Sequence, residues 1–116
     1  MTDVHHPGGK HLIVEFRGCK TELLNNVVLV ETHLRQASQA AQCTILHSYA
    51  HAFEPQGVTC FVALAESHIS THTWPEHGYA AIDIFMCGDK DPTKALDYLI
   101  DVFGPLDIEV HQVDRR

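Results

Sequence analysis

The stretch Tyr79–Cys87 limits the fold more than any other part of the chain. Taken at period two, one side carries Ala80, Ile82, Ile84 and Met86, and the other Tyr79, Ala81, Asp83, Phe85 and Cys87. A strand so divided belongs in a sheet covered by helices on one face only. The uncovered face then carries aromatics, a carboxylate and a thiol. That mixture suits a site or a second subunit better than plain solvent.

The covering helices are legible on either side. Val27, Val30, Leu34, Ala37 and Ala41 recur at spacings of 3, 4, 3 and 4, the stripe of an amphipathic helix, after a turn-like approach over Lys20–Asn26. Asp91-Pro92 opens a second helix as N-cap and first helical residue. Ala95, Leu96, Leu99, Ile100 and Phe103 form its buried stripe, and Gly104-Pro105 ends it. Strands are expected over His11–Phe16, Cys43–His51, Val58–Ala65 and Tyr79–Cys87, with Ile108 and Val110 in a last one. Glu54-Pro55-Gln56-Gly57 is a turn by composition. The order β-α-β-β-β-α-β predicts an α+β fold: a two-layer sandwich, its mainly antiparallel sheet bearing both helices on one face.

At 116 residues this is one domain, 1–116, with no room for a separate cofactor-binding unit. Eight basic residues against fifteen acidic ones give a formal charge of −7, and the basic residues form no stripe, which argues against nucleic acid as a partner. No apolar run reaches membrane-span length, and residues 1–10 lack the apolar core of a signal peptide, so a cytoplasmic chain is expected. Cys19, Cys43, Cys60 and Cys87 contain no Cys-x-x-Cys pair and read as thiols.

Residues 65–78 break both neighbouring patterns and place three histidines, two serines and two threonines beside Trp74-Pro75. They read as a polar loop hung on a buried strand, where catalytic groups tend to sit. Ser67 or Ser70 could be a nucleophile activated by His68 or His72, although the Gly-x-Ser-x-Gly elbow is absent. His68 and His72 have the i, i+4 spacing of metal ligands on a helix, with His77 and Cys87 as further candidates. Ile69, Ser70, Thr71 and Thr73 are poor helix formers, however, and Trp74-Pro75 would interrupt a helix, so no metal site is assigned. His5, His6 and His11 form a second group, read as part of a solvated tail because Pro7 and two glycines follow His6. The plain alternative is a polar loop whose histidines bond to their neighbours.

The whole string Ala-Glu-Ser-His-Ile-Ser-Thr-His-Thr-Trp-Pro-Glu-His-Gly-Tyr-Ala-Ala-Ile-Asp-Ile-Phe-Met-Cys-Gly, from Ala65 to Gly88, closely resembles the S-adenosylmethionine decarboxylases of bacteria and archaea. The resemblance extends through Gly9-Lys10-His11-Leu12, Phe53, Pro55-Gln56-Gly57-Val58 and Asp91-Pro92-Thr93-Lys94-Ala95. It implies a proenzyme that cleaves itself at Glu66–Ser67 into a β chain, 1–66, and an α chain, 67–116, with a pyruvoyl group derived from Ser67 as cofactor. Decarboxylating an amino acid needs an electron sink that ordinary side chains lack. The four lysines come with no Gly-rich phosphate cradle that would suit pyridoxal phosphate instead.

By the same resemblance His72 handles the proton lost during processing, and Cys87 returns a proton to the substrate carbon. Phe53 corresponds to an aromatic that stacks on adenine, and Glu76 to a carboxylate for the ribose hydroxyls. Thr59 stands where relatives often have Ser and keeps the hydroxyl, while Cys60 stands where they often have Gly. Thr93 replaces a common aromatic. The implied reaction converts S-adenosylmethionine to S-adenosylmethioninamine and CO2 for spermidine synthesis, and the implied assembly is a homodimer of αβ units. Two alternatives stay open at this point: a pyruvoyl-dependent arginine or ornithine decarboxylase, and a non-catalytic His-rich metal-binding domain.

Overall fold

A computed structural model describes residues 7–116, and the His5–His6 pair lies outside the described residues. The element order is β1 (Gly9–Arg17), α1 (Thr21–Leu24), α2 (Val27–Ala40), β2 (Ile45–Ala52), β3 (Val58–Leu64), β4 (Ser67–Trp74), β5 (Tyr79–Cys87), α3 (Pro92–Phe103) and β6 (Asp107–Arg115). A 3₁₀ turn at Pro75–His77 separates β4 from β5. The six strands form one antiparallel sheet in the order β2-β3-β4-β5-β1-β6. Helices α2 and α3 pack on each other and on one sheet face, as the sequence predicts.

The caps explain where the helices lie. The Asn26 side chain accepts from Leu29 N at 3.0 Å to start α2. Asp91 accepts from Thr93 N at 3.0 Å to start α3. Gly104, at φ 59°, closes α3 with its N–H on Ile100 O, in a left-handed conformation that costs glycine little. Val30, Leu34 and Ala37 of α2 and Ala95, Leu99 and Phe103 of α3 are fully buried against Leu12, Val14 and Phe16 of β1 and Ala80, Ile82, Ile84 and Met86 of β5. Phe16 and Phe103 meet edge to face at 5.9 Å.

Two expectations are corrected. Lys20–Asn26 holds the short helix α1 rather than only a turn. More consequentially, most of the polar segment is a strand, so the sheet has six strands instead of five. Ile69, Thr71 and Thr73 fill the helix side of β4. Both threonine hydroxyls are satisfied there, Thr71 donating to Ala81 O at 2.9 Å and Thr73 to Leu24 O at 2.7 Å. Those bonds remove the desolvation penalty that would otherwise keep threonine out of a core. His11 lies in β1, where the strand expected over His11–Phe16 puts it and apart from the tail reading of the His5–His6 group.

Candidate functional site

The sheet face away from the helices is built from cross-strand rows. One row runs Ala63, His68, Phe85 and His11 on β3, β4, β5 and β1. Four positions further along β4, another runs Thr59, His72, Ala81 and Glu15. Between them lie Phe61, Ser70, Asp83 and Ile13. Large apolar groups on this face remain open: Tyr49 is 59% exposed, Phe61 42% and Ile13 37%. This is the mixed face read from the Tyr79–Cys87 alternation.

At one end of it β3 turns tightly into β4. Leu64 pairs with Ser67, so Ala65-Glu66 is a two-residue hairpin loop. Such loops favour Gly or Asn because they need positive φ. Here positive φ falls on Ser67, at 143°. That region is costly for a residue with a side chain, by about 1–3 kcal/mol.

The strained link is clamped from both sides. Ala65 N donates to Thr44 O at 2.9 Å, and Thr44 N donates to Glu66 Oε1 at 3.0 Å. The carbonyl oxygen of Glu66 accepts two bonds from one residue, Cys87, from its N–H at 2.9 Å and its thiol at 3.2 Å. Cys87 is buried, at 8% exposure, with its thiol turned to the carbonyl of the Glu66–Ser67 peptide. Glu66, Ser67 and Cys87 therefore form one cluster.

A second cluster occupies the other end of β4. Phe53, Gln56, Thr59, His72, Trp74 and Glu76 line a cleft of about 300 Å³. His72 Nδ1 and Thr59 Oγ1 are 2.8 Å apart, which fixes the ring through one nitrogen and leaves Nε2 for other work. His51 meets Phe53 edge to face at 4.6 Å, and Trp74 lies 5.3 Å from Tyr79. Phe53, Thr59, His72 and Glu76 are thus together, whereas His72 is not beside Ser67. A step of five positions along the extended strand separates the two by roughly 16 Å.

Sequence reasoning passed over Trp74 and Gln56 as cleft walls and the contact between His68 and His11. The Trp-Pro-Glu turn signalled the first, and the shared face with Asp83 was the only pointer to the last. Burial pushes the other thiols up, Cys60 to about 12 and Cys19 and Cys43 to about 11, away from the thiolate form. None of the four cysteines is in a disulfide. Among the described residues no three His, Cys, Asp or Glu side chains stand together as a group that could hold a metal ion.

Residues 10–116 match the family described as S-adenosylmethionine decarboxylase. The S-adenosylmethionine decarboxylase proenzyme of Fervidobacterium nodosum is 48% identical over 96 residues, covering 82% of this chain and 70% of its own length. That of Thermotoga maritima is 50% identical over 92 residues, covering 78% and 71%. Among solved structures, the adenosylmethionine decarboxylase of Aquifex aeolicus superposes with a TM-score of 0.89 at 35% identity, covering 94% of this chain and 91% of the other.

Proposed function

This chain belongs to the S-adenosylmethionine decarboxylase family and decarboxylates S-adenosylmethionine, and we propose that it does so through a pyruvoyl group cut from its own Ser67. The observation that carries the proposal is the pair of hydrogen bonds that Cys87 donates to the carbonyl oxygen of Glu66, beside a backbone strained at Ser67. The comparisons favour neither a basic amino acid as substrate nor a metal-binding module.

The Cys87 N–H and thiol are aimed where negative charge develops when the Ser67 hydroxyl adds to the Glu66 carbonyl carbon. The Glu66–Ser67 C–N bond then breaks as an ester C–O bond forms, and the strain at Ser67 is released. Removal of the Ser67 α-proton expels the Glu66 carboxylate and leaves dehydroalanine. Addition of water and loss of ammonia give the pyruvoyl end. What supports this fit to the cofactor is that the carbonyl to be attacked already accepts from two donors of Cys87. Once formed, the pyruvoyl group supplies a ketone for the substrate amine and an adjacent amide carbonyl to take up electrons as CO2 leaves. The Cys87 thiol stays at that end of the strand, where it can return a proton to the substrate carbon.

His72 is the assigned base for the α-proton, yet about 16 Å of strand separates it from Ser67 in the same chain. A second copy resolves this. A two-fold axis lying between two open faces and running across the strands carries the His72 row of one copy over the His68 row of the other. Each Ser67–Cys87 cluster then meets the Thr59–His72 pair and the Phe53–Glu76 cleft of its neighbour. The same packing covers Tyr49, Phe61 and Ile13. We therefore assign a homodimer of αβ units with two composite sites, in which Phe53 stacks on the adenine and Glu76 bonds the ribose. No helix of the described residues is long and apolar enough to cross a membrane, and a cytoplasmic enzyme is the proposed setting.

A mass spectrum of the denatured wild-type protein tests the proposal. Fragments 1–66 and 67–116, with CO2 released from S-adenosylmethionine but not from arginine or ornithine, are expected. A chain that stays whole on prolonged incubation contradicts it.

A further inference from the structure

Cleavage before Ser67 would convert an internal strand residue into a chain end, and chain ends fray unless something ties them down. The next residue is tied on three sides. The His68 ring stacks on Phe61 with centroids 5.4 Å apart and planes at 22°. It meets Phe85 at 6.1 Å and the edge of His11 at 6.3 Å. These neighbours are themselves held. His11 Nε2 lies 3.1 Å from Asp83 Oδ1, and the Arg115 guanidinium sits 4.8 Å over the Phe85 ring. Burial, and then the neighbouring His11, lower the pKa of His68, which favours its neutral ring and so packing over charge.

We propose that His68 is a positioning residue, whose ring, clamped by Phe61, Phe85 and His11, holds the reactive end of the α chain against Cys87 once the peptide is cut. The proposal rests on the reading that the chain is cleaved before Ser67. In the uncut precursor the Ala65-Glu66 hairpin and its bonds to Thr44 share the load. After the cut the backbone ladder and the His68 ring carry it alone. The role is one of packing, so phenylalanine should substitute for histidine where alanine or glutamine cannot.

The test is amide hydrogen exchange over residues 69–73, read in two backgrounds, with steady-state kinetics alongside. In the cleaved enzyme, H68A and H68Q should exchange these amides about tenfold faster through local opening. They should also lower kcat about tenfold with KM within about threefold, as expected for a displaced reacting group rather than a lost contact. H68F should restore protection and most of kcat. In the uncleavable S67A background the same substitutions should leave exchange within about twofold. Equal loosening or unfolding in both backgrounds would make the ring a plain structural element and overturn the proposal. So would an H68F enzyme as impaired as H68A, or H68A and H68Q chains that fold but are not cut. A wild-type chain that stays whole would fail the parent reading instead, and the denatured mass distinguishes that case.

Discussion

Cys87 reaches the carbonyl oxygen of Glu66 twice, through its backbone N–H at 2.9 Å and its thiol at 3.2 Å. In the proposed reaction one residue thus holds the bond to be cut and remains beside the new chain end afterwards. Replacing Cys87 with Ala removes one donor of two. Self-cleavage should slow about 100-fold without stopping, as for the loss of a single oxyanion donor. A time course of fragment appearance by denaturing electrophoresis checks this. Cleavage at the wild-type rate would mean that the thiol does not assist.

The φ of 143° at Ser67 is a stored cost in the precursor. Ser67→Ala and Ser67→Gly both remove the hydroxyl and should give uncleaved, folded chains. Only glycine also relieves the backbone. The Gly variant should be the more stable by about 1 kcal/mol, or roughly 3–5 °C in Tm. Calorimetry on the two variants measures the difference, and equal melting would remove strain from the account.

Phe53 and Glu76 line the cleft at the far end of β4 from the Glu66–Ser67 peptide. Phe53→Ala and Glu76→Gln should therefore leave cleavage intact and act on substrate binding. An aromatic stacking loss of about 0.5–1.5 kcal/mol corresponds to KM raised roughly 2- to 12-fold for Phe53→Ala. Initial-rate kinetics on chains already shown to be cut separate this from a processing defect.

His68 links stability to pH. Its pKa in the folded protein is lowered, chiefly by burial and then by the His11 charge. The unfolded chain, with an ordinary value of about 6.5, then binds the proton more readily than the folded one. The contribution is complete above the unfolded value and is lost as pH falls through it toward the lower folded value. The melting temperature of the S67A precursor should decline between pH 7.5 and 5.5, and less steeply with Phe at position 68. Equal slopes in both chains would contradict the assignment.

The helices and the covered side of the sheet were legible because their stripes are purely apolar, as in Ala80, Ile82, Ile84 and Met86. β4 was not. Its period-two pattern is present, but the buried side reads Ile69, Thr71 and Thr73, and the threonines reach the core only by donating to Ala81 O and Leu24 O. Such bonds are invisible in sequence, so the segment looks like a polar loop. With that loop reading the distance between Ser67 and His72 was also lost, since a loop could fold the two together. As a strand it keeps them apart. The motif identified the candidate residues, and only the strand geometry divides them into the two clusters that the proposed dimer joins.

That division gives the most direct test of the central claim. S67A and H72A chains, each produced alone, should remain uncleaved. Produced together as a mixed dimer, the S67A chain lends its His72 to the intact Ser67 of the H72A chain. The H72A chain should then appear as fragments 1–66 and 67–116 in the denatured mass spectrum while the S67A chain stays whole. Mixed dimers in which neither chain is cut, or H72A chains that cut themselves at the wild-type rate when alone, would contradict the composite site.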